Sequence, residues 1–175
     1  RRQRQMCIRD SAHGLWAQQN YSSCKDMATL CEYAISKYQV FRDIVCLPSY
    51  HMASTSYHSD GTDIYNTNLM LDSMTDYYYS YAKGIKTGTL DSAGRCLASY
   101  AEYEGTTYLI VTMGAPMDKL EEDVKKGEED PDSIYGGDNV YYNLLDHINL
   151  YKWAFSSLVA VSYTHLRAHE TRSNL

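Results

Sequence analysis

The chain contains 175 residues, which is enough for one domain or for most of one. It has 22 acidic and 16 basic residues and a formal net charge of −6, so its surface disfavours nucleic acid, whose phosphates it would repel. No stretch of about 18 consecutive apolar residues occurs, so the sequence predicts no membrane-spanning helix.

The two ends of the chain can be encoded by an inverted repeat. Codons for residues 6–10 (Met-Cys-Ile-Arg-Asp), read on the opposite DNA strand, can encode residues 161–165 (Val-Ser-Tyr-Thr-His). The repeat resembles a translated sequencing adapter, so we exclude residues 1–11 and 161–175 from the fold prediction and assign residues 12–160 to the domain. Six basic and two acidic residues fall in the excluded ends, which leaves a net charge of −10.

The first predicted element is a helix that begins after Ser23. Ser23 and Asp26 have the spacing of a capping box. The apolar residues that follow at helical spacing predict one buried stripe, formed by Met27, Leu30, Cys31, Ala34, Ile35 and Tyr38. A shorter apolar-periodic stretch covers residues 40–45 and ends before Pro48. Residues 50–66, rich in Ser, Thr, Tyr and His, predict an exposed hairpin.

Residues 83–113 predict an antiparallel meander. Its three strands are separated by a turn at residues 91–94 and another at 104–105, and connections this short favour antiparallel neighbours. The predicted strands are residues 83–89, 96–102 and 108–113.

The last predicted elements are a charged loop over residues 117–138 and a helix that Asp138 would cap. The helix presents an apolar face formed by Val140, Tyr141, Leu144, Leu145, Ile148 and Phe155. We expect this face to cover one side of the sheet.

The cysteines, tyrosines and histidines are predicted to have structural roles rather than to form a metal, redox or sugar-binding site. The four cysteines of residues 12–160, none in a Cys-x-x-Cys pair, predict buried small apolar residues rather than a zinc or redox motif: Cys24, Cys31, Cys46 and Cys96. Tyr77-Tyr78-Tyr79 and Tyr81 could stack on sugars, but packing is favoured in a chain with 18 tyrosines. His51, His58 and His147 lack metal-ligand spacing and are predicted at the surface or at a helix edge, and His13 is predicted to fix a loop.

The short motif Lys86-Thr87-Gly88 is the main candidate for a binding or catalytic site in this sequence. It lies in the context Gly84-Ile85-Lys86-Thr87-Gly88-Thr89, followed by Asp91, Ala93-Gly94, Cys96-Leu97 and Gly114-Ala115-Pro116. With Ala12-His13-Gly14-Leu15 upstream and residues 150–155 downstream, this order resembles the serine D-alanyl-D-alanine carboxypeptidases among the low-molecular-mass penicillin-binding proteins. The resemblance covers residues 12–158. It implies an α+β fold of the DD-peptidase/β-lactamase type, an antiparallel sheet with covering helices, present as its C-terminal half.

The resemblance implies roles for four residues of the motif strand. Lys86, Thr87 and Gly88 would bind the substrate, and the backbone N–H of Thr89 would donate to the oxyanion. A peptide ending in D-Ala-D-Ala presents a carboxylate, which a cation and a hydroxyl can hold. Strict alternation would turn Lys86 and Thr87 to opposite faces, so a local bend is expected. No metal and no cofactor are implied, and β-lactams are implied as inhibitors.

The catalytic serine and its lysine base are not found in the resembling stretch. The family carries them in Ser-x-x-Lys and a second serine in Ser-x-Asn, which the resemblance places before residue 12. Ser22 to Lys25 and Ser80 to Lys83 have the first spacing, but one begins a helix and the other leads into a strand, where the side chains would point apart. No Ser-x-Asn occurs in residues 12–160. We therefore expect this stretch to be inactive and poorly stable in isolation.

The function implied is removal of the terminal D-alanine from peptidoglycan stem peptides through an acyl-enzyme. A serine β-lactamase and a non-catalytic penicillin-binding sensor remain open alternatives, and the upstream motifs would distinguish them. The resemblance also implies a secreted protein at the extracytoplasmic face of the bacterial membrane, with membrane contact only through a C-terminal segment outside this sequence.

Overall fold

A computed structural model describes residues 21–130, 132–137 and 139–170, with side chains described as far as residue 157. The helices are α1 (Cys24–Lys37), α2 (Gln39–Val45), α3 (Glu121–Glu129) and α4 (Tyr142–Glu170). The strands are β1 (Ser49–Met52), β2 (Thr62–Tyr65), β3 (Ala82–Leu90), β4 (Gly94–Tyr103) and β5 (Thr106–Ala115), and a 3-10 turn covers Leu69–Leu71. The predicted cap Asp138 and residues 12–20, including His13, lie outside the described residues, as do residues 1–11 and 171–175.

The predicted meander is confirmed as a three-stranded antiparallel sheet in the order β3-β4-β5. Its register pairs Thr87 with Leu97 and Ala98 with Val111. Each strand extends one or two residues beyond its predicted ends, because the turns are tighter than the sequence indicates. The α+β fold with covering helices is likewise confirmed.

The central strand β4 has both faces buried, and this sets the layering. Leu97 packs in one cluster with Leu144 and Ile148 of α4. Ala98 and Tyr100, whose side chains point the other way, pack with residues of α1 and α2, among them Cys31, Ile35 and Phe41. The sheet therefore lies between α1 and α2 on one face and α4 on the other.

The predicted first helix is confirmed together with its cap. The Ser23 side chain accepts a hydrogen bond of 3.1 Å from the Asp26 backbone N–H. The predicted apolar stripe is buried at Cys31 and Ile35, but it is wrong at Leu30 and Tyr38, which are exposed. The second helical stretch and the exposed hairpin, formed by β1 and β2, are also confirmed.

The prediction of a loop over residues 117–138 is wrong in part, because it contains α3. Three acidic residues in the first turn of α3 interact favourably with the positive end of the helix dipole. Asp123 is buried, and its carboxylate accepts hydrogen bonds from Lys126 Nζ at 2.6 Å and Tyr142 Oη at 2.8 Å. The hydrogen bond from Lys126 is the main reason that the pKa of Asp123 is lowered.

The predicted apolar face of the last helix is confirmed, with Val140, Leu144, Ile148 and Phe155 buried. Helix α4 continues to Glu170, past the predicted domain end at residue 160. The origin of residues 161–175 stays a prediction. Among the described residues, none of the helices combines the length and the apolar character that crossing a bilayer requires.

Aromatic packing accounts for two of the tyrosines that could have bound sugars. Tyr77 is buried and makes an edge contact with Tyr141. Tyr79 stacks on Tyr151 with ring centroids 5.9 Å apart. The preference for packing is thus confirmed at these positions. The four cysteines within the described residues are all free thiols; Cys31 is buried as predicted, and Cys24 is exposed, against prediction.

Candidate functional site

The motif lies on β3, which in the described sheet has a neighbouring strand on one side only. The register of β3 against β4 shifts between Ala82 and Ile85, just before the motif. Gly84, at φ +131°, lets the end of α2 lie against the strand, because a Cβ there would be 2.9 Å from Val45 Cγ2. The register shift and the close approach of α2 at Gly84 therefore determine the orientation of the motif at the edge of the sheet.

The polar groups of Lys86 and Thr87 both have partners close to the strand. Lys86 Nζ donates a hydrogen bond of 2.8 Å to the Thr87 carbonyl oxygen. Thr87 Oγ1 lies 2.5 Å from Thr67 Oγ1, which precedes the 3-10 turn. Lys86 is exposed, so its ammonium is free to exchange this carbonyl for a ligand.

A cavity of about 440 Å³ lies beside β3 on the face covered by α4. It is lined by four residues of β3, one of β4, and residues at or just before the 3-10 turn and α4: Thr67, Leu69, Lys86, Thr87, Gly88, Thr89, Arg95, Tyr141, Asn143 and Leu144. Lys86 and Thr87 thus share one cavity although strict alternation would separate them. We call this the α4-side cavity.

Arg95 adds a second cation to the α4-side cavity. It pairs with Thr89 across the β3–β4 ladder and is only 7% exposed. Its Nη1 donates a hydrogen bond of 2.9 Å to the Val140 carbonyl oxygen, and its guanidinium lies 4.1 Å from the ring centroid of Tyr141. These contacts fix the guanidinium against the start of α4.

Asn143 lies in the first turn of α4 and is 3% exposed. Its Oδ1 has no hydrogen-bond partner in the described part of the chain. A buried amide oxygen without a donor is unfavourable, by about 1–3 kcal/mol, unless something else supplies the hydrogen bond.

Lys86, Thr87 and Gly88 also line a second cavity, of about 460 Å³, on the opposite face of the sheet under α1. Its walls are almost entirely apolar and include Met27, Leu30, Phe41, Val111 and Met113. This lining offers little to a charged ligand, so we place the candidate site on the α4 side.

The prediction for His147 is wrong, because the residue is fully buried beneath β4 and β5. Its Nδ1 lies 2.7 Å from Ser99 Oγ and its Nε2 lies 3.0 Å from Thr112 Oγ1. Ser99 Oγ is also 2.7 Å from Tyr151 Oη. Burial lowers the pKa of His147 to about 4, so the imidazole is neutral at pH 7.

The serine–histidine contact between Ser99 and His147 is structural. Both side chains are fully buried, so no substrate can approach the hydroxyl. His51 and His58 are exposed, as predicted. Within the described residues, no group of three or more His, Cys, Asp and Glu side chains is placed to hold a metal ion.

The two Ser-x-x-Lys matches lie at element boundaries. Ser22 precedes α1, and Lys25 lies inside its first turn. Ser80 lies in a turn before β3, and Lys83 is the second residue of that strand. Neither pair lies within one helical turn, as the family's serine and lysine would.

Sequence reasoning missed three polar residues of the α4-side cavity, Thr67, Arg95 and Asn143, and the apolar Leu69. Arg95 lies opposite Thr89 because Leu90 pairs with Gly94, whereas the predicted turn at residues 91–94 would place Arg95 opposite Leu90. Thr67 and Asn143 carry no sequence signal, since only the tertiary fold brings them to β3.

Comparison with known proteins agrees with this architecture. A family model described as D-alanyl-D-alanine carboxypeptidase matches residues 9–117. A serine-to-alanine variant of the Streptomyces K15 DD-transpeptidase is 30% identical, with a TM-score of 0.53, over 61% of this chain and 40% of that one. Another structure of that enzyme is 29% identical, with a TM-score of 0.51, over 59% and 38%. Penicillin-binding protein D2 from Listeria monocytogenes, in its cefotaxime-bound form, is 26% identical with a TM-score of 0.49, over 68% and 44%.

The chain thus spans about two fifths of the length of the K15 enzyme, with the matched part in the same α+β arrangement. The family model covers more than half of the sequence, including β3 and its motif. The chain belongs to the D-alanyl-D-alanine carboxypeptidase family.

Proposed function

We propose that this chain carries the substrate-binding strand of a serine-type D-alanyl-D-alanine carboxypeptidase that acts on peptidoglycan stem peptides. The observation that carries the proposal is the shared position of Lys86, Thr87, Gly88 and Thr89 on β3, at the edge of the described sheet, where all four line the α4-side cavity. An edge strand with a cation and hydroxyls beside it suits an extended peptide that ends in a carboxylate.

Each residue of the strand has a distinct role in this proposal. The Lys86 ammonium and the Thr87 hydroxyl bind the terminal carboxylate. When the carboxylate binds, Lys86 gives up its hydrogen bond to the Thr87 carbonyl oxygen, and Thr87 gives up its contact with the Thr67 hydroxyl. Gly88 has no side chain, so the ligand backbone can approach the strand. The Thr89 backbone N–H donates to the carbonyl oxygen on which negative charge develops, which contributes on the order of 3 kcal/mol to the transition state.

The remaining chemistry comes from a serine and a lysine base outside the described residues. The serine oxygen attacks the carbonyl carbon of the peptide bond between the two D-alanines, its proton passes through the base to the leaving amine, and water later hydrolyses the ester. β-Lactams, which also carry a carboxylate beside a reactive carbonyl, act as inhibitors. The reaction takes place at the extracytoplasmic face of the membrane, where the peptidoglycan is assembled.

The role of Lys86 can be tested by binding of a short peptide ending in D-Ala-D-Ala, followed by NMR. We expect Lys86→Gln to weaken binding by about 10- to 100-fold, because a charge-assisted hydrogen bond contributes about 1.5–3 kcal/mol. Thr87→Val removes a neutral hydrogen bond and should weaken binding by about tenfold or less.

Lys83→Gln is the matched control, since it removes the same charge from the same strand three residues earlier. Equal loss of affinity in Lys83→Gln and Lys86→Gln would show that only the net charge matters. Binding of the C-terminally amidated peptide with unchanged affinity would also exclude carboxylate recognition by this strand.

Covalent labelling provides a separate prediction. We expect no stable adduct when the chain is incubated with a fluorescent penicillin, because neither Ser-x-x-Lys pair of the described residues lies within one helical turn. Intact-mass spectrometry would detect the adduct, and peptide mapping would locate it. Labelling at Ser22 or Ser80 would contradict this prediction, because it would identify a nucleophile within the chain.

A further inference from the structure

A further cavity, of about 390 Å³, lies between α1 and the sheet, and the roles proposed above leave its residues unused. It is lined by residues of α1, α2, β4 and β5: Glu32, Ile35, Ser36, Arg42, Tyr100, Glu102, Thr107 and Leu109. None of these described residues lines the α4-side cavity. We call this the α1–β4 cavity.

The spacing of residues on two elements directs polar groups into the α1–β4 cavity. Tyr100 and Glu102 are two positions apart on β4, so they lie on the same face of the sheet, the face that α1 covers. Glu32, Ile35 and Ser36 are three and four positions apart on α1 and therefore lie on one side of that helix. The cavity is thus formed by one side of α1 and the facing side of β4.

Tyr100 supplies a hydroxyl that has no protein partner. The residue is 3% exposed, and its hydroxyl forms no hydrogen bond within the described residues. It is not one of the fully enclosed unpartnered atoms, which are Asn68 Nδ2 and Asn143 Oδ1, so it is open to the cavity that Tyr100 lines. Burial, and then the charge of Glu102, raise the pKa of Tyr100 to about 12. The hydroxyl is therefore protonated at pH 7 and can donate to a ligand.

The α1–β4 cavity also carries charges of both signs that do not pair directly. Neither Glu32 nor Glu102 forms an ion pair with a described residue, and neither does Arg42. Arg42 donates instead to two neutral groups, the Ile35 carbonyl oxygen at 2.7 Å and the side-chain oxygen of Gln39. Two carboxylates and one guanidinium therefore line the same cavity without neutralising one another.

This mixture of charges restricts the ligand. A simple anion would be repelled by the two carboxylates, and a simple cation would be repelled by the Arg42 guanidinium. A zwitterion satisfies both signs, because its ammonium can donate to Glu32 and Glu102 while its carboxylate accepts from Arg42 N–H groups that the two hydrogen bonds leave unused. Ile35 and Leu109 add an apolar wall for a side chain.

We propose that the α1–β4 cavity binds a free amino acid with an apolar side chain, in its zwitterionic form. The ammonium lies between Glu32 and Glu102, and the carboxylate accepts hydrogen bonds from Arg42 and from the Tyr100 hydroxyl. The side chain packs on the apolar wall. This is a second ligand site, formed by other residues than the motif strand, and the inference does not rest on the proposed function.

Three compounds with the same carbon skeleton test the recognition on the unmodified chain. Leucine has both charges, 4-methylpentanoate lacks the ammonium, and 3-methylbutylamine lacks the carboxylate. We expect leucine to bind and each of the other two to bind at least about tenfold more weakly, because each leaves one sign of charge in the cavity unsatisfied. The readout is the shift of the backbone amide resonances of Tyr100, Glu102 and Thr107. Both enantiomers of leucine are titrated, and the tighter one is compared.

Two variants locate the site, since each removes one polar group with little change of shape. We expect Glu102→Gln to weaken leucine binding about tenfold and Tyr100→Phe to weaken it about three- to tenfold. Both keep the Arg42 hydrogen bond that joins α2 to α1, so both should fold. Glu128→Gln is the matched control, because it removes the same charge at an exposed position of α3 and should leave the affinity unchanged.

The outcomes decide between the zwitterion site and its alternatives. Equal affinity for leucine and for either one-charge analogue would overturn the zwitterion, and the absence of binding by all three compounds would overturn the site. Equal effects of Glu102→Gln and Glu128→Gln would mean that leucine binds elsewhere. Lys86→Gln should leave leucine binding unchanged, because Lys86 does not line this cavity. A loss of leucine binding in Lys86→Gln would place the ligand at the motif strand and contradict the inference.

Discussion

Replacing Phe155 with alanine is expected to lower the free energy of unfolding by about 3–5 kcal/mol. Phe155 is 6% exposed and lies at the centre of an aromatic cluster between α4 and the sheet. Its ring centroid is 4.6 Å from that of Tyr103 and 5.4 Å from that of Tyr108. Truncation removes these contacts and leaves a cavity that the rigid neighbouring rings cannot fill.

The measurement is urea denaturation followed by far-UV circular dichroism. Trp153→Ala is the matched control, because Trp153 is on the same helix and is 68% exposed. Its replacement should change the free energy of unfolding by about 0.5 kcal/mol or less. Similar losses in the two variants would mean that α4 does not pack on the sheet through the face that contains Phe155.

The second large effect is a loss of stability on mild acidification, caused by His147. Burial lowers the pKa of His147 to about 4 in the folded chain, whereas the unfolded chain has the ordinary value of about 6.5. Between these values the unfolded chain binds a proton that the folded chain excludes, so stability falls as the pH decreases from about 6.5 to about 4. The difference corresponds to about 3 kcal/mol over the whole window.

Urea midpoints measured between pH 7 and pH 4.5 would reveal this dependence. His147→Gln keeps a hydrogen-bonding side chain but cannot titrate, so the variant should lose most of the slope in this window. His58→Gln, at an exposed position, should retain it. An unchanged slope in His147→Gln would assign the acid sensitivity to other groups. Carboxylates titrate lower, near pH 4, so they should contribute less than His147 to the slope in this window.

The sequence predicted the elements where local signals agree with the tertiary environment. The Ser23 cap and the short turns of the meander are set by neighbours within a few residues, and the structure confirms both. The family resemblance, carried by the segment around Lys86, is confirmed by the family model. The roles of Lys86, Thr87, Gly88 and Thr89 stay predictions.

Where the sequence failed, long-range contacts decided the outcome. His147 is polar, and helical spacing alone does not show that Ser99 and Thr112 offer partners for both of its ring nitrogens. Leu30 belongs to the apolar stripe of α1 by spacing, yet it is 58% exposed in the described part of the chain. Asn143 could not be placed in the site because its distance from β3 depends on how α4 docks.

In the described sheet β3 has a neighbouring strand on one side only, which bears on the parts of a bound peptide that it can recognise. Main-chain N–H and C=O groups along the free edge can pair with an incoming chain without reading its side chains. Side chains of a paired ligand alternate above and below the sheet plane, so those directed to solvent can vary widely. For an extended peptide bound along this edge, the geometry therefore favours tolerance of different side chains at the positions directed to solvent.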